Sequence, residues 1–259
     1  IATGSWVVAV GDELLSGHTA DTNSAWLAAR LSQGPYPCSR IVVVGDQPEA
    51  IAEELRAAAA GPAARVFCCG GLGPTPDDRT MAAVARMLGV PLVEDPQALA
   101  HIRARARRQH EQGRLESPEP NAGARKMASV PQGARVLRNP VGGAPPLAIA
   151  LPTRADPRWL FVLPGVPAEL RATFAQELEP IFLVGAGSRS YRELHFLGAP
   201  ESTFFPALTE LERTFPEVSF GSYPQPTGGV VIRASACDPS ALEEALRTLR
   251  RLAPAPPSD

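Results

Sequence analysis

Carboxylates and glycines stand side by side at several points of this 259-residue sequence: Gly11-Asp12-Glu13, Gly45-Asp46, the run Gly70-Gly71-Leu72-Gly73-Pro74-Thr75-Pro76-Asp77-Asp78, and Pro164-Gly165-Val166-Pro167-Ala168-Glu169. Glycines let a backbone approach a ligand closely and turn its N–H groups inward, and a helix that starts just after adds the positive end of its dipole. Phosphate is the natural occupant. Carboxylates beside phosphate repel it, so Asp12, Glu13, Asp78 and Glu169 fit that setting when a divalent cation such as Mg²⁺ bridges acid and ligand. Each piece also has a structural reading. Gly70 to Gly73 could be only a tight turn, Asp77 or Asp78 a helix cap, Asp46 with Glu49 a capping box, Asp21-Thr22-Asn23 a helix start, and Glu169 a first-turn acid.

What separates the readings is where the elements put these residues. Short apolar, β-branched runs alternate with segments of helical period, the pattern of parallel strands joined by crossover helices, so the fold class is α/β. Strands are predicted at Trp6 to Val10, Arg40 to Val44, Arg65 to Cys69, Leu147 to Leu151 and Trp159 to Leu163, the last two around a turn at Thr153 to Pro157. Helices are predicted at Thr22 to Gln33, Pro48 to Ala60, Asp78 to Leu88, Pro96 to Gln112 and Pro167 to Leu183. Ser117 to Pro146 reads as loop with short strands. Ligands of open parallel sheets bind outside the carboxyl ends of the strands, and the acid and glycine clusters all follow strands. Independent helix caps need not share one edge of a sheet.

A Gly/Ser-rich stretch at Val184 to Ser190 reads as a domain boundary, giving a main domain over 1–186, a small α+β domain over 187–253, and a disordered tail over 254–259. The small domain alternates strand (Arg192 to Phe196), helix (Glu201 to Thr214), two strands (Val218 to Ser222, Gly229 to Ser235) and helix (Pro239 to Leu252). Leu208, Leu211, Leu246 and Leu249 are its expected core.

Charge is nearly balanced, 25 Lys+Arg against 27 Asp+Glu, so no global field draws the protein to nucleic acid or an anionic membrane. The basic face of Arg103, Arg105, Arg107 and Arg108 reads as solvated. Cys38, Cys68, Cys69 and Cys237 lack metal-ligand spacing and read as reduced core thiols. No apolar stretch approaches the roughly 20 residues that span a bilayer, and the first residues are too short and uncharged for a signal peptide, so a cytoplasmic location is expected.

Gly11-Asp12-Glu13-Leu14-Leu15, Thr22-Asn23-Ser24-Ala25-Trp26-Leu27, Val44-Gly45-Asp46, the run Gly70 to Asp78 with Thr80, Asn139-Pro140-Val141-Gly142 and Leu163 to Glu169 together resemble the molybdopterin-binding domain of the MoaB/Mog superfamily. Within it, they are most similar to the N-terminal region of the CinA (competence/damage-inducible) family. The likeness covers about residues 5 to 183, and the remainder is similar to the small KH-like domain that follows in that family. It implies a three-layer α/β/α fold, with a mostly parallel sheet, that forms homo-oligomers and binds a small-molecule nucleotide or pterin. It also implies metal-dependent hydrolysis of nucleotide pyrophosphates such as ADP-ribose or FAD. Asp78, Asp12 and Glu13 are then the candidates to hold the divalent metal or orient water. Gly11, Asn23, Asp46, Gly70, Gly71, Leu72, Gly73, Thr75, Gly165 and Glu169 are the candidates to bind the ligand, with Lys126 or Arg125 as a further phosphate clamp or as plain surface charge. The alternative is a molybdenum-cofactor role in which the same loops hold molybdopterin as ligand without hydrolysis. The C-terminal amidase domain that CinA often carries is expected to be absent. RNA binding by the small domain is not expected, since no GxxG loop with basic flanks occurs in it.

Overall fold

The computed structural model describes residues 4–152, 157–184 and 189–257. The chain divides into two units, one of the residues up to Ser32 and from Tyr36 to Val184, the other of Gln33–Pro35 and the residues after Val184. Residues 153–156 of the predicted turn and 185–188 of the predicted boundary lie outside the described residues.

The first unit runs β1 (Ser5–Val10), α1 (Asp12–Leu15), α2 (Thr22–Leu31), β2 (Cys38–Val44), α3 (Pro48–Ala60), β3 (Arg65–Cys69), α4 (Thr80–Leu88), β4 (Leu92–Glu94), α5 (Pro96–Glu111), α6 (Ala122–Lys126), β5 (Ser129–Pro131), β6 (Arg135–Val136), β7 (Leu147–Leu151), β8 (Arg158–Leu163), α7 (Pro167–Thr173) and α8 (Glu179–Phe182). Its main sheet has the order β2-β1-β3-β8-β7-β6. The first four strands are parallel; β7 and β6 join antiparallel. Every residue of β3 is buried, as a central strand covered on both faces requires. On one face Val8, Val66, Cys68, Leu160 and Val162 pack with Ile51 and Leu55 of α3 and Val84 of α4. On the other, Val7, Phe67, Phe161 and Leu163 pack with Leu27, Leu170, Phe174 and Phe182. The result is the expected α/β/α layering.

Differences from the sequence reading are local. The helix expected from Asp78 starts at Thr80 and closes at Gly89, in the left-handed region at φ 68. The predicted helix Pro167 to Leu183 is broken by a π-helical segment at Phe174–Leu178, where Pro180 has no N–H to continue the α ladder. Leu92–Glu94, not predicted as a strand, pairs with Ser129–Pro131. Among the described residues no helix is long and apolar enough to cross a membrane.

The second unit contains β9 (Ser190–Phe196), a 3₁₀ turn (Glu201–Phe204), α9 (Phe205–Thr214), β10 (Ser219–Pro224), β11 (Val230–Ala236) and α10 (Pro239–Leu252). The antiparallel sheet has the order β10-β11-β9. Leu211, Leu246 and Leu249 are buried in its core and Leu208 partly so. Ala253 and Ala255 also pack against that core, so the start of the tail is held by apolar contact where disorder was expected.

Phe161 is fully buried, with ring centroids 5.2 Å from Phe67 and 5.1 Å from Phe182. Truncating it opens a cavity in this layer. Phe161→Ala is therefore expected to cost about 3–5 kcal/mol in urea-induced unfolding, and a cost under about 1 kcal/mol would contradict this packing.

Candidate functional site

The register makes β1, β2, β3 and β8 end together: Val10 pairs with Val44, Ala9 with Cys69, and Cys69 with Leu163. The loops that leave these ends enclose a cavity of about 520 Å³. Gly11, Glu13, Asn23, Asp46, Gly70, Gly71, Leu72, Gly73, Asp78, Gly165 and Glu169, all sequence-predicted site residues, line it. Asp12 and Thr75 do not. Leu72 sends its side chain into the core and can meet a ligand only through its backbone.

The glycine loop is fixed from behind. Gly70 donates to the Leu163 carbonyl at 3.1 Å, and the buried Thr80 hydroxyl donates to the Gly70 carbonyl at 2.8 Å, while the Thr80 amide donates to Gly71 at 3.2 Å. Gly70 and Gly71 sit at φ 108 and 65. A Cβ at Gly70 would collide with the Val10 carbonyl oxygen, and one at Gly71 with the Thr80 hydroxyl. With its carbonyls held this way, the loop keeps the amides of Gly71, Leu72 and Gly73 unclaimed by any acceptor among the described residues. Such successive free amides form an anion-binding nest.

The carboxylates divide between bracing and lining. The Asp12 amide donates to Asp46 Oδ2 at 3.0 Å and the Asp46 amide to Asp12 Oδ1 at 3.2 Å, so Asp12 ties the first two strand-end loops together instead of facing the cavity. Glu13 folds back against Gly11, where a Cβ would lie 2.5 Å from its carboxylate oxygens. Asp78 caps no helix. Its Oδ2 accepts from the Thr75 amide at 2.9 Å and the Thr75 hydroxyl at 2.5 Å, which is the work Thr75 does in place of ligand contact. Among the described residues no group of three His, Cys, Asp or Glu side chains is placed to hold a metal ion. Asp12, Glu13 and Asp78 thus form no closed cage, since Asp12 turns to the Asp46 amide and does not line the cavity. The capping-box reading of Asp46 fails too: Gln47 is the N-cap of α3, with no side-chain cap bond. Asp21 does cap α2, accepting from the Ser24 amide at 2.9 Å.

The far wall joins sequence-predicted candidates to residues that were not expected at the site. Glu169 accepts from Asn139 Nδ2 at 2.6 Å, and Asn139 Oδ1 accepts from the amides of Val141 and Gly142 at 3.2 and 2.7 Å. Asn23 Nδ2 donates to the Gly165 carbonyl at 2.6 Å. Arg105 and Met127 line the cavity, so the α5 basic face is not all solvated. No period reveals this, because it depends on how α5 docks. Arg125 pairs with Glu94 at 2.6 Å, and Lys126 Nζ donates to the Thr75 and Asp78 carbonyls, so both candidate clamps are engaged by protein. All four cysteines are free; Cys68 and Cys69 are core thiols, the Cys68 thiol pushed up to about 12 by burial, whereas Cys237 is exposed.

Burial raises the Asp46 carboxyl above its ordinary pKa, and the charges of Asp12, Glu13 and Asp77 add to the rise against the lowering hydrogen bond from the Asp12 amide. A raised folded-state pKa means that the folded chain holds this proton more tightly than the unfolded chain. The associated stability is present at low pH and lost as pH rises through the folded value. Asp46→Asn keeps an acceptor for the Asp12 amide and removes the charge. It is expected to raise the melting temperature at about pH 8 and leave it unchanged at about pH 4; equal effects at both would rule out this electrostatic strain. A Cβ at Gly142 would overlap the Glu169 carboxylate. Gly142→Ala is expected to cost about 1–3 kcal/mol, with most of that coupling removed in a double-mutant cycle with Glu169→Ala.

Comparison with known proteins places this geometry. Residues 6–183 match the family described as probable molybdopterin binding domain, and residues 190–256 match FAD synthase, middle domain. A protein of Aeropyrum pernix is 37% identical over 96% of this chain and 91% of its own. A CinA-like protein of Salinibacter ruber is 38% identical over 89% of this chain, which spans 54% of that longer relative. The crystal structure of the protein CinA from Thermoplasma acidophilum superposes with a TM-score of 0.60 at 33% identity, covering 70% of this chain and 99% of the other. The chain belongs to the MoaB/Mog-like family of probable molybdopterin-binding domains and is CinA-like within it.

Proposed function

We propose that the cavity binds a nucleotide diphosphate compound of the ADP-ribose or FAD type and hydrolyses its pyrophosphate with the help of a divalent cation. The observation that carries this reading is the unclaimed amides of Gly71, Leu72 and Gly73 in the same cavity as Glu13, Asp46 and Asp78. Amides alone suit any anion, and acids alone repel one. A Mg²⁺ ion uses one or two carboxylates and completes its shell with water and substrate phosphates, and the acids lining the cavity fit such a partial shell. Asp46 would hold the ion, with Glu13 beside it. Bound there, the cation would neutralise phosphoryl oxygens and make water more acidic.

The chain's own residues do the rest. The glycine-loop amides hold the phosphoryl oxygens and stabilise the charge that grows on them. Asp78, its Oδ2 fixed by Thr75, has Oδ1 available to take a proton from the attacking water. A bond forms from that oxygen to phosphorus as the bond to the bridging oxygen breaks; from ADP-ribose the products are AMP and ribose phosphate. The match of residues 190–256 to FAD synthase, middle domain, supports a substrate of this class.

A second reading, favoured by the description of the family matched over residues 6–183, is binding of molybdopterin without hydrolysis. Release of AMP from ADP-ribose or FAD with Mg²⁺, Mn²⁺ or Co²⁺, abolished by EDTA, is the expected result. Asp78→Asn should lower kcat by about 10²- to 10⁴-fold. No AMP release from the unmodified protein, together with thermal stabilisation by molybdopterin, would select the second reading.

A further inference from the structure

We propose that Arg105 is a specificity residue of this cavity, clamping the second phosphate of a diphosphate ligand while the glycine loop holds the first. This rests on the pyrophosphatase reading above and deepens it. Among the described residues that line the cavity, Arg105 is the cation, set against Glu13, Asp21, Asp46, Asp77, Asp78 and Glu169. A ligand with charge on both phosphates needs a counter-charge beyond the cation that the acids would hold.

Its placement is built. Helix α5 is capped by Asp95, which accepts from the Ala98 amide at 2.8 Å, and it buries Ala98, Ile102 and Ala106. That orientation leaves Arg103, Arg107 and Arg108 exposed and Arg105 half-buried. Its Nη1 donates to the Val141 carbonyl at 3.0 Å. The stem passes over Gly143, where a Cβ would lie 3.0 Å from Arg105 Cδ and 3.2 Å from Nε, so the glycine makes room for it. One helical turn earlier, His101 Nε2 lies 2.9 Å from the Gly142 carbonyl and holds the same loop. A guanidinium has five N–H donors in a planar fork, and one is spent on Val141. Among the described residues Arg105 forms no salt bridge. The remaining donors suit bidentate binding of a phosphate.

The test is calorimetric binding of AMP and of ADP-ribose carrying a methylene bridge in place of the pyrophosphate oxygen, which cannot be hydrolysed, to the full chain with Mg²⁺, for the unmodified protein, Arg105→Gln and Arg105→Lys. A clamp on the second phosphate predicts that Arg105→Gln weakens the ADP-ribose analogue by about 10- to 100-fold and AMP by far less. Arg105→Lys, which keeps the charge and a donor for Val141 but not the fork, should recover part of the loss. Equal weakening of both ligands would make Arg105 a mere brace of the loop at Val141, and unchanged binding of the analogue in Arg105→Gln would also overturn the clamp. If the unmodified protein bound neither ligand, the pyrophosphatase reading would fall and the clamp with it, an outcome distinct from loss of the clamp alone.

Discussion

The site depends first on strand register. Parallel pairing sets β1, β2, β3 and β8 so that their last residues lie level, and a level edge is what lets loops far apart in sequence meet. A slip of one residue would turn each side chain of a strand to the other face. In β3 that exchange would move Phe67 out of one apolar layer and Cys68 out of the other. The two-sided core therefore holds the register, and the register holds the site.

On that edge, loop conformation is governed by what the backbone must give up. Gly70 and Gly71 adopt positive φ and crowd the Val10 carbonyl and Thr80 hydroxyl, a geometry that L side chains strongly disfavour. Thr80 takes up the Gly70 and Gly71 carbonyls and leaves the amides of Gly71, Leu72 and Gly73 without an acceptor among the described residues. The acids beside it follow a related division. Asp12, Asp78 and Glu169 each spend an oxygen on the protein, which fixes the loops. Asp46 also accepts an amide, yet its carboxyl is held high by burial and by neighbouring acids. Charge concentrated in this way opposes folding and favours cation binding.

Much of this was legible in the sequence. The α/β class, the strand and helix order, and the placement of glycines and acids after strands all follow from periodicity and turn chemistry, because these are set by residues close in the chain. The motifs from Gly11 to Glu169 were specific enough to indicate the family. Local spacing misled where two local explanations competed. Asp46 and Glu49 have capping-box spacing, but Gln47 occupies the cap position and Glu49 pairs with Arg86.

The sequence by itself determined which residue types reach the carboxyl edge of the sheet, since strand ends and the glycines after them are local properties. Only the tertiary structure decided what each acid and base does there. That Asp12 braces Asp46, that Lys126 is consumed by the Thr75 and Asp78 carbonyls, and that Arg105 alone of its basic face turns to the cavity are outcomes of contacts between distant segments. Helical period places Arg103, Arg105, Arg107 and Arg108 on a helix, but only the docking of α5 through Ala98, Ile102 and Ala106 selects which of them meets a ligand.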